Sequence, residues 1–282
     1  MIDRKAVRLR FARAAASYAD AARLEAEVGE RMLARLDYVK IAPRRVLDAG
    51  CGPGREARAL GRRYADAELV LLDAALPMLR LARRARGLRA WWPGGAARAA
   101  LCADLERVPL GPGTIGLAWS NMALHWIADP LAAIREFHRV LAPEGLLMFS
   151  TLGPDTLKEL RAVAGATRVH AFADMHDLGD MLVAAGFADP VMDAERITLT
   201  YADERALLAD LRASGQTCAL AERPRGLAGK GFRAALSAGL AAQRRGGRLQ
   251  ATFEVLYGHA WKAARQRTTD GQAIVRFARA GR

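Results

Sequence analysis

Residues 46–54, VLDAGCGPG, join an apolar run to an acid and then to three glycines at every second position. Such a run reads as a buried strand entering a tight turn that opens a helix near Arg55. Gly50, Gly52 and Gly54 let the backbone bend there and let a ligand come close. No Lys-Ser/Thr follows, as a phosphate loop requires, and the dinucleotide frame begun at Gly52 has Ala57 in its sixth place. With Asp48 ending the strand and Cys51 inside the turn, the site suits a cationic ligand better than a pyrophosphate. Two more apolar runs end in acids. The run 68–73 closes on Asp73, about twenty residues past the turn, where a carboxylate can accept hydrogen bonds from ribose hydroxyls. The alternative for Asp73 is a cap for the helix around Pro77. The run 100–104 closes on Asp104 and Leu105, which can take an adenine through its exocyclic amine and a ring nitrogen; Asp104 could equally cap a turn.

A fourth run, 116–121, leads into Met122, His125 and Trp126. Ligands of open α/β sheets sit beyond the carboxyl ends of the strands. Ser120, Asn121, His125 and Trp126 therefore fall where a donor and an acceptor would meet. His125 is the titratable group among them, with a packed or solvent-facing ring as its alternative. Tyr18 is an aromatic hydroxyl at the junction of two early helices. It either staples them together or belongs to a lid closing over the reacting groups.

The elements that must position these groups follow from periodicity. Amphipathic helices are expected over 3–16 and 20–36, the second with Ala22, Ala26, Met32, Leu33 and Leu36 on one stripe. Further helices are expected at 55–64, after Pro77, at 129–141 with Pro130 in its first turn, at 155–163, and at 175–185 before Gly186. A fifth strand spans 146–151, and 197–201 with 251–261 alternate as a late antiparallel pair. The loop 87–99 holds Trp91 and Trp92, either an exposed patch or a packed one. The pattern divides into a helical lid at 1–40, an α/β core at 41–202, a helical cap at 203–248, a closing strand at 249–265 and a polar tail at 266–282. The cap is basic in its second half (Arg223, Arg225, Lys230, Arg233, Arg244, Arg245, Arg248), and 244–248 reads as a flexible loop.

At 282 residues the chain can bury one large core, and no run is long enough to cross a membrane. Its basic, amphipathic start has no secretory cleavage pattern. Cys51, Cys102 and Cys218 make neither a metal spacing nor a disulfide framework, which fits a reducing cytoplasm and a site without metal. The net charge of +13 invites an acidic partner. Five of the 43 basic residues are Lys and 38 are Arg, so a GC-rich genome accounts for the charge as well. No N-P-P-Y-type amine motif and no nucleophilic Pro-Cys pair is present, which ranks chemistry on nucleic-acid bases low.

Glycine turn, Asp73, Asp104 and the fourth strand stand in the order found in class I S-adenosylmethionine (SAM) methyltransferases, and VLDAGCGPG resembles their motif I. That resemblance implies a Rossmann-like, seven-stranded, mostly parallel sheet with helices on both faces and an antiparallel last strand. Asp48, Gly50, Cys51, Gly52, Gly54, Asp73, Asp104, Leu105, Ser120 and Asn121 would bind the cofactor, leaving S-adenosylhomocysteine as product.

The stretches FARAAASYADAARLEAEV, LAWSNMALHWIADPLAAIREFHRVLAPEGLLMFSTLGPDTLKELR and ITLTYADERALLADLRASGQTC further resemble the malonyl-acyl-carrier-protein O-methyltransferases of biotin synthesis, over about residues 8–262. Glu25 stands where Gln is expected, and Thr217-Cys218 where an Ala-Thr pair is common. The resemblance implies methylation of a carboxylate that is already anionic and needs no general base. Tyr18, Asn121 and His125 would orient the acceptor, in a monomer bound to neither nucleic acid nor membrane. Arg223, Arg225, Lys230, Arg233, Arg244 and Arg245 would dock the acidic carrier. Methylation of a small molecule such as a quinone precursor, with His125 as an essential base if carbon is methylated, is the alternative enzyme. A non-catalytic assembly factor of the same fold is a third reading, which the retained Asp48, Asp73 and Asp104 argue against.

Overall fold

Alternation along the central strands assigns their side chains to two cores. Val46, Leu69, Leu71, Leu117, Trp119 and Met148 share one cluster with Leu24, Val28 and Met32 of an N-terminal helix. Leu47, Val70, Leu72, Ala118, Leu147 and Phe149 share the other with Ile134 and Phe137. Neighbouring residues of a strand point to opposite faces, so a sheet apolar on both must be covered on both. The computed structural model describes residues 1–84 and 98–264 and shows that layered arrangement.

The strands are β1 (Arg45–Ala49), β2 (Glu68–Asp73), β3 (Arg98–Cys102), β4 (Ile115–Ser120), β5 (Leu141–Leu152), β6 (Phe187–Tyr201) and β7 (Leu249–Lys262), in the order β3-β2-β1-β4-β5-β7-β6. β1 to β5 pair in parallel, and β7 runs antiparallel to both β5 and β6. The helices are α1 (Arg4–Ala21), α2 (Arg23–Arg35), α3 (Ala57–Arg63), α4 (Leu76–Arg84), α5 (Pro130–Val140), α6 (Lys158–Ala164), α7 (Met175–Ala184), α8 (Glu204–Ala213) and α9 (Lys230–Ala242). The seven-stranded, mostly parallel sheet with helices on both faces and an antiparallel last strand is as the resemblance to class I methyltransferases implies.

Three local expectations change, and one set of contacts is added to them. The break between the first helices falls at Ala22, one turn beyond Tyr18, because 17–21 contain no Gly or Pro to stop α1. β6 begins ten residues before the expected 197. Asp189 (φ 48°) and Pro190 form a bulge between Ala188 and Val191 that hides the strand from pattern reading. The expected flexible loop at 244–248 is a tight turn in which Arg245 and Arg248 exchange backbone hydrogen bonds (2.9 and 3.1 Å). Arg248 also donates to the Thr200 hydroxyl and carbonyl, both at 3.0 Å. Finally, the chain between α8 and α9 is stitched to the N-terminus. Asp3 N donates to Ala219 O and Ala221 N to Met1 O, while Ser17 Oγ donates to Ala213 O. The Trp91-Trp92 loop and the tail beyond 264 lie outside the described residues.

Candidate active site

Register gathers the acids. Ala49 pairs with Leu72, Asp48 with Trp119 and Asp73 with Cys102. The glycine turn, Asp73, Asp104 and Asn121 therefore leave the sheet along one edge, where β1 parts from β2 on one side and β4 on the other. Gly50, Gly52 and Gly54 all take positive φ (78°, 51° and 78°). A Cβ on Gly50 would stand 2.5 Å from that of Ala123. The N–H groups of the turn are spoken for. Gly50 and Cys51 donate to Leu72 O (2.8 and 3.0 Å), Gly52 to Asp73 Oδ2 (2.9 Å) and Gly54 to Cys51 O (2.9 Å). A phosphate would find no free donors here, which agrees with the acidic reading of the turn.

Above this edge lies a pocket with an empty volume of about 790 Å³. Gly50, Gly52, Asp73, Asp104, Leu105, Asn121 and Trp126 line it from the sheet side, and Arg4, Arg8, Phe11 and Tyr18 from α1. The α1 residues recur at roughly helical spacing, a signal present in the sequence but invisible without knowing what α1 covers. Arg4 forms an ion pair with Glu106 that ties α1 across to the loop after β3. Asp73 accepts one N–H on each oxygen (Gly52, 2.9 Å; Ala75, 2.7 Å) and keeps lone pairs for a ligand. Asp104 Oδ1 accepts from Glu106 N (3.0 Å), so it closes a turn and lines the pocket as well.

The electrostatics are acidic. Burial, and then the charges of Glu56 and Asp73, push the Asp48 carboxyl well above its ordinary range. Its Oδ2 is buried without a partner among the described residues. Burial also raises Asp73, against the pull of the Ala75 and Gly52 N–H groups. Glu56 is likewise raised by burial. Glu25 is raised to about 7, by burial before all else. Its carboxylate accepts a short hydrogen bond from Gln216 Nε2, and Oε2 is left buried without a partner among the described residues. Burial, followed by Glu25, Glu56 and Asp73, holds the Tyr18 phenol neutral well past its usual range.

Asn121 organises this cluster. Its Nδ2 donates to Glu25 O (2.9 Å) and Glu56 Oε1 (3.1 Å), and its Oδ1 accepts from Ser150 Oγ (2.7 Å). Both amide protons are used, so Asn121 has no N–H left to offer an acceptor in this arrangement. Gly29 of α2 makes room for this bridge, since a Cβ there would lie 2.4 Å from Glu56 Oε1. Glu25, Glu56 and Gly29 are the contributors that pattern reading missed.

Other expected residues lie off the pocket. Ser120 is fully buried and donates to Ala49 O (3.0 Å), a strut between β4 and β1. Asp48 and Cys51 sit beneath the turn, and Gly54 abuts Ala82 of α4. His125 and Trp126 share a 3-10 turn, Leu124–Trp126, whose threefold repeat sends adjacent side chains about 120° apart. Trp126 faces the pocket, whereas His125 faces a separate cavity beside Thr151 and Phe172. Burial, then His170, lowers the His125 pKa to about 3, which makes it a poor base at neutral pH. Of the basic cap residues, Arg223 is turned inward. It pairs with Asp3 (3.1 Å) and donates to Leu220 O (2.6 Å), anchoring α1 instead of facing solvent. Arg225, Lys230, Arg233, Arg244 and Arg245 are exposed.

Comparison with known proteins adds three findings. A family model described as a methyltransferase domain matches residues 47–149. The malonyl-[acyl-carrier protein] O-methyltransferase of Methylovorus sp. (strain MP688) is 51% identical over 98% of this chain and 95% of its own length; that of Gallionella capsiferriformans (strain ES-2) is 48% identical over 98% and 97%. Among solved structures, the YcgJ protein of Bacillus subtilis superimposes with a TM-score of 0.59 at 15% identity, covering 83% of this chain and 99% of that one. The [4+2]-cyclase SpnF gives 0.51 at 20% identity, covering 86% and 81%. At such identities the structures speak for the fold alone, and a cyclase among them shows that this sheet does not by itself dictate the reaction.

Proposed function

Because the chain belongs to the malonyl-[acyl-carrier protein] O-methyltransferases, we propose that the acid-lined pocket holds SAM and that Tyr18 and Trp126 face the carboxylate it methylates. The protein transfers a methyl group to the free carboxylate of a malonyl thioester carried by acyl carrier protein, and the methyl ester enters biotin synthesis. The observation that carries the reading is a single pocket in which the glycine turn, Asp73 and Asp104 face Tyr18 and Trp126.

The residues fit the cofactor. A sulfonium and an α-ammonium suit a pocket lined by Asp73, Asp104 and Glu106, with a glycine turn that has no room for a Cβ at Gly50 and no spare N–H. Asp73 would hold the ribose hydroxyls, Asp104 and Leu105 the adenine, and Gly50 and Gly52 the close backbone approach. When bound, SAM supplies an electrophilic methyl on a cationic sulfur. The protein's task is then to place an anion in line with that methyl and keep water away, a proximity and desolvation effect of up to roughly 7–11 kcal/mol in favourable cases. Tyr18, held neutral, can donate its O–H to the incoming carboxylate and exclude solvent at the same point. The carboxylate needs no deprotonation at pH 7, so the low pKa and remote position of His125 are no handicap.

Incubating the protein with SAM and malonyl-acyl carrier protein, with acetyl-carrier as control, tests this by mass spectrometry. One added methyl on the malonyl form alone is the expected result. No addition, with SAM binding still seen by calorimetry, would overturn the substrate and leave the cofactor assignment standing.

A further inference from the structure

Trp126 has a cavity on its other side too. Helices α6 and α8 and the segments 165–174 and 214–218 wall a half-open cleft of about 720 Å³, its solvent-facing mouth included, and Trp126 lines this space as well as the acidic pocket. Its ring meets Phe11 of the acidic pocket edge-on at 5.2 Å and His170 of the second cavity at 5.0 Å, so it stands where the two spaces meet.

The two spaces differ in charge. The second is lined by Arg168, Arg212, His170 and Gln216 against an apolar background that includes Leu208. Nearby Arg10 has an Nη1 that is buried and unpartnered among the described residues. Burial first, and the Arg10 charge next, hold His170 down to about 4, which leaves the ring neutral. Its Nε2 accepts the Ala219 N–H (2.7 Å), so the proton sits on Nδ1 and is available to donate. At the edge of the cavity the Arg168 guanidinium lies 4.0 Å from the Phe232 ring of α9, next to the exposed Lys230 and Arg233. The cavity beside His125 also borders the acidic pocket, through Ile127 and Ala128. Its charged groups, the Met1 ammonium and Glu222, pair with each other at 3.3 Å and offer nothing to an anion.

We infer that the second cavity is the acceptor channel: it takes the thioester arm and terminal carboxylate of the substrate, reaches the methyl donor at Trp126, and receives an acidic carrier at the Arg168–Phe232 edge. Its size suits a slender amide-bearing arm, and its cations suit an anion at either end of that arm. The inference rests on the carboxyl-methylation reading, and its test is separable from that reading.

Cys218 lines the channel and serves as a reporter. In a Cys102→Ser background, with Cys51 buried, it is the thiol left to alkylate. Malonyl-pantetheine at ~10 Kd should slow its reaction with N-ethylmaleimide by about tenfold. Leu208→Trp should fill the channel and raise KM for malonyl-pantetheine by about tenfold or more, with SAM affinity by calorimetry within about twofold as proof of folding. Lys230→Glu with Arg233→Glu should raise KM more for the carrier-borne substrate than for malonyl-pantetheine. Unprotected Cys218, or a Leu208→Trp variant that binds SAM and keeps its KM, would overturn the channel. Protection of Cys218 without any methyl transfer by the wild type would overturn the carboxyl-methylation reading and uphold the channel.

Discussion

The two spaces that meet at Trp126 are made of unlike material. The acidic pocket stands on the carboxyl ends of parallel strands, where ladder register sets the position of Gly50, Asp73 and Asn121. The second cavity has helices and irregular segments for walls, brought together by contacts between residues far apart in sequence, such as Gln216 with Glu25 and Ala219 with His170. On the proposed assignment, a cofactor that is always the same would be met by the part of the fold with least freedom, and an acceptor delivered on a carrier by parts that can be varied without disturbing the sheet.

The largest effect that would break this division is Gly50→Val. Its φ of 78° and the 2.5 Å approach to Ala123 leave no place for a β-branched side chain. Destabilisation of at least about 3 kcal/mol is expected, read as a lower Tm together with lost SAM binding. A variant of wild-type stability would show that the turn is not the rigid element described. Asp73→Ala comes next. Losing the carboxylate should weaken SAM by about 30-fold in calorimetry, or about 2 kcal/mol, while KM for the acceptor stays within about twofold. Equal losses on both sides would mean that the two spaces are one site.

Glu25 joins the regions, since it lies under the acidic pocket and its carboxylate accepts from Gln216 of the second cavity. Its pKa is raised from 4.5 to about 7. Between those values the folded chain keeps a proton that the unfolded chain has released, so stability falls as pH rises through this window and stays low above it. Glu25→Gln removes the titration. Thermal melts of the SAM-free protein should show the variant more stable than wild type by about 3 kcal/mol at pH 8 and nearly equal at pH 4. A constant difference across pH would refute the assignment. The smallest effect is expected for His125→Gln, with kcat lowered by less than about threefold, whereas loss of a general base would cost about 100-fold or more.

Much of the acidic pocket was legible because it is local. An apolar run ending in Asp, a glycine turn, and acids at the ends of the next two strands are each set by a few adjacent residues. The second cavity was not legible in the same way. Leu208, Arg168 and Cys218 carry no motif, and Arg223 looks like a surface cation until Asp3, 220 residues away, is found beside it. Ser120 and Asn121 were placed at the right strand end, but whether each points into the pocket or into a strut depends on partners in β1, α2 and β5.

The sequence by itself determined the sheet, the order of its acids and the cationic character of the ligand, since side-chain type and period decide these over short spans. It also carried the family, through identity along almost the whole chain. Only the tertiary structure decided that Trp126 and not His125 looks into the acidic pocket, that Gly29 clears space for the Glu56–Asn121 bridge, and that a second, basic space adjoins the first. A 3-10 turn offers about 120° between neighbours, and the choice of face is made by what packs on either side, which no short stretch of sequence contains.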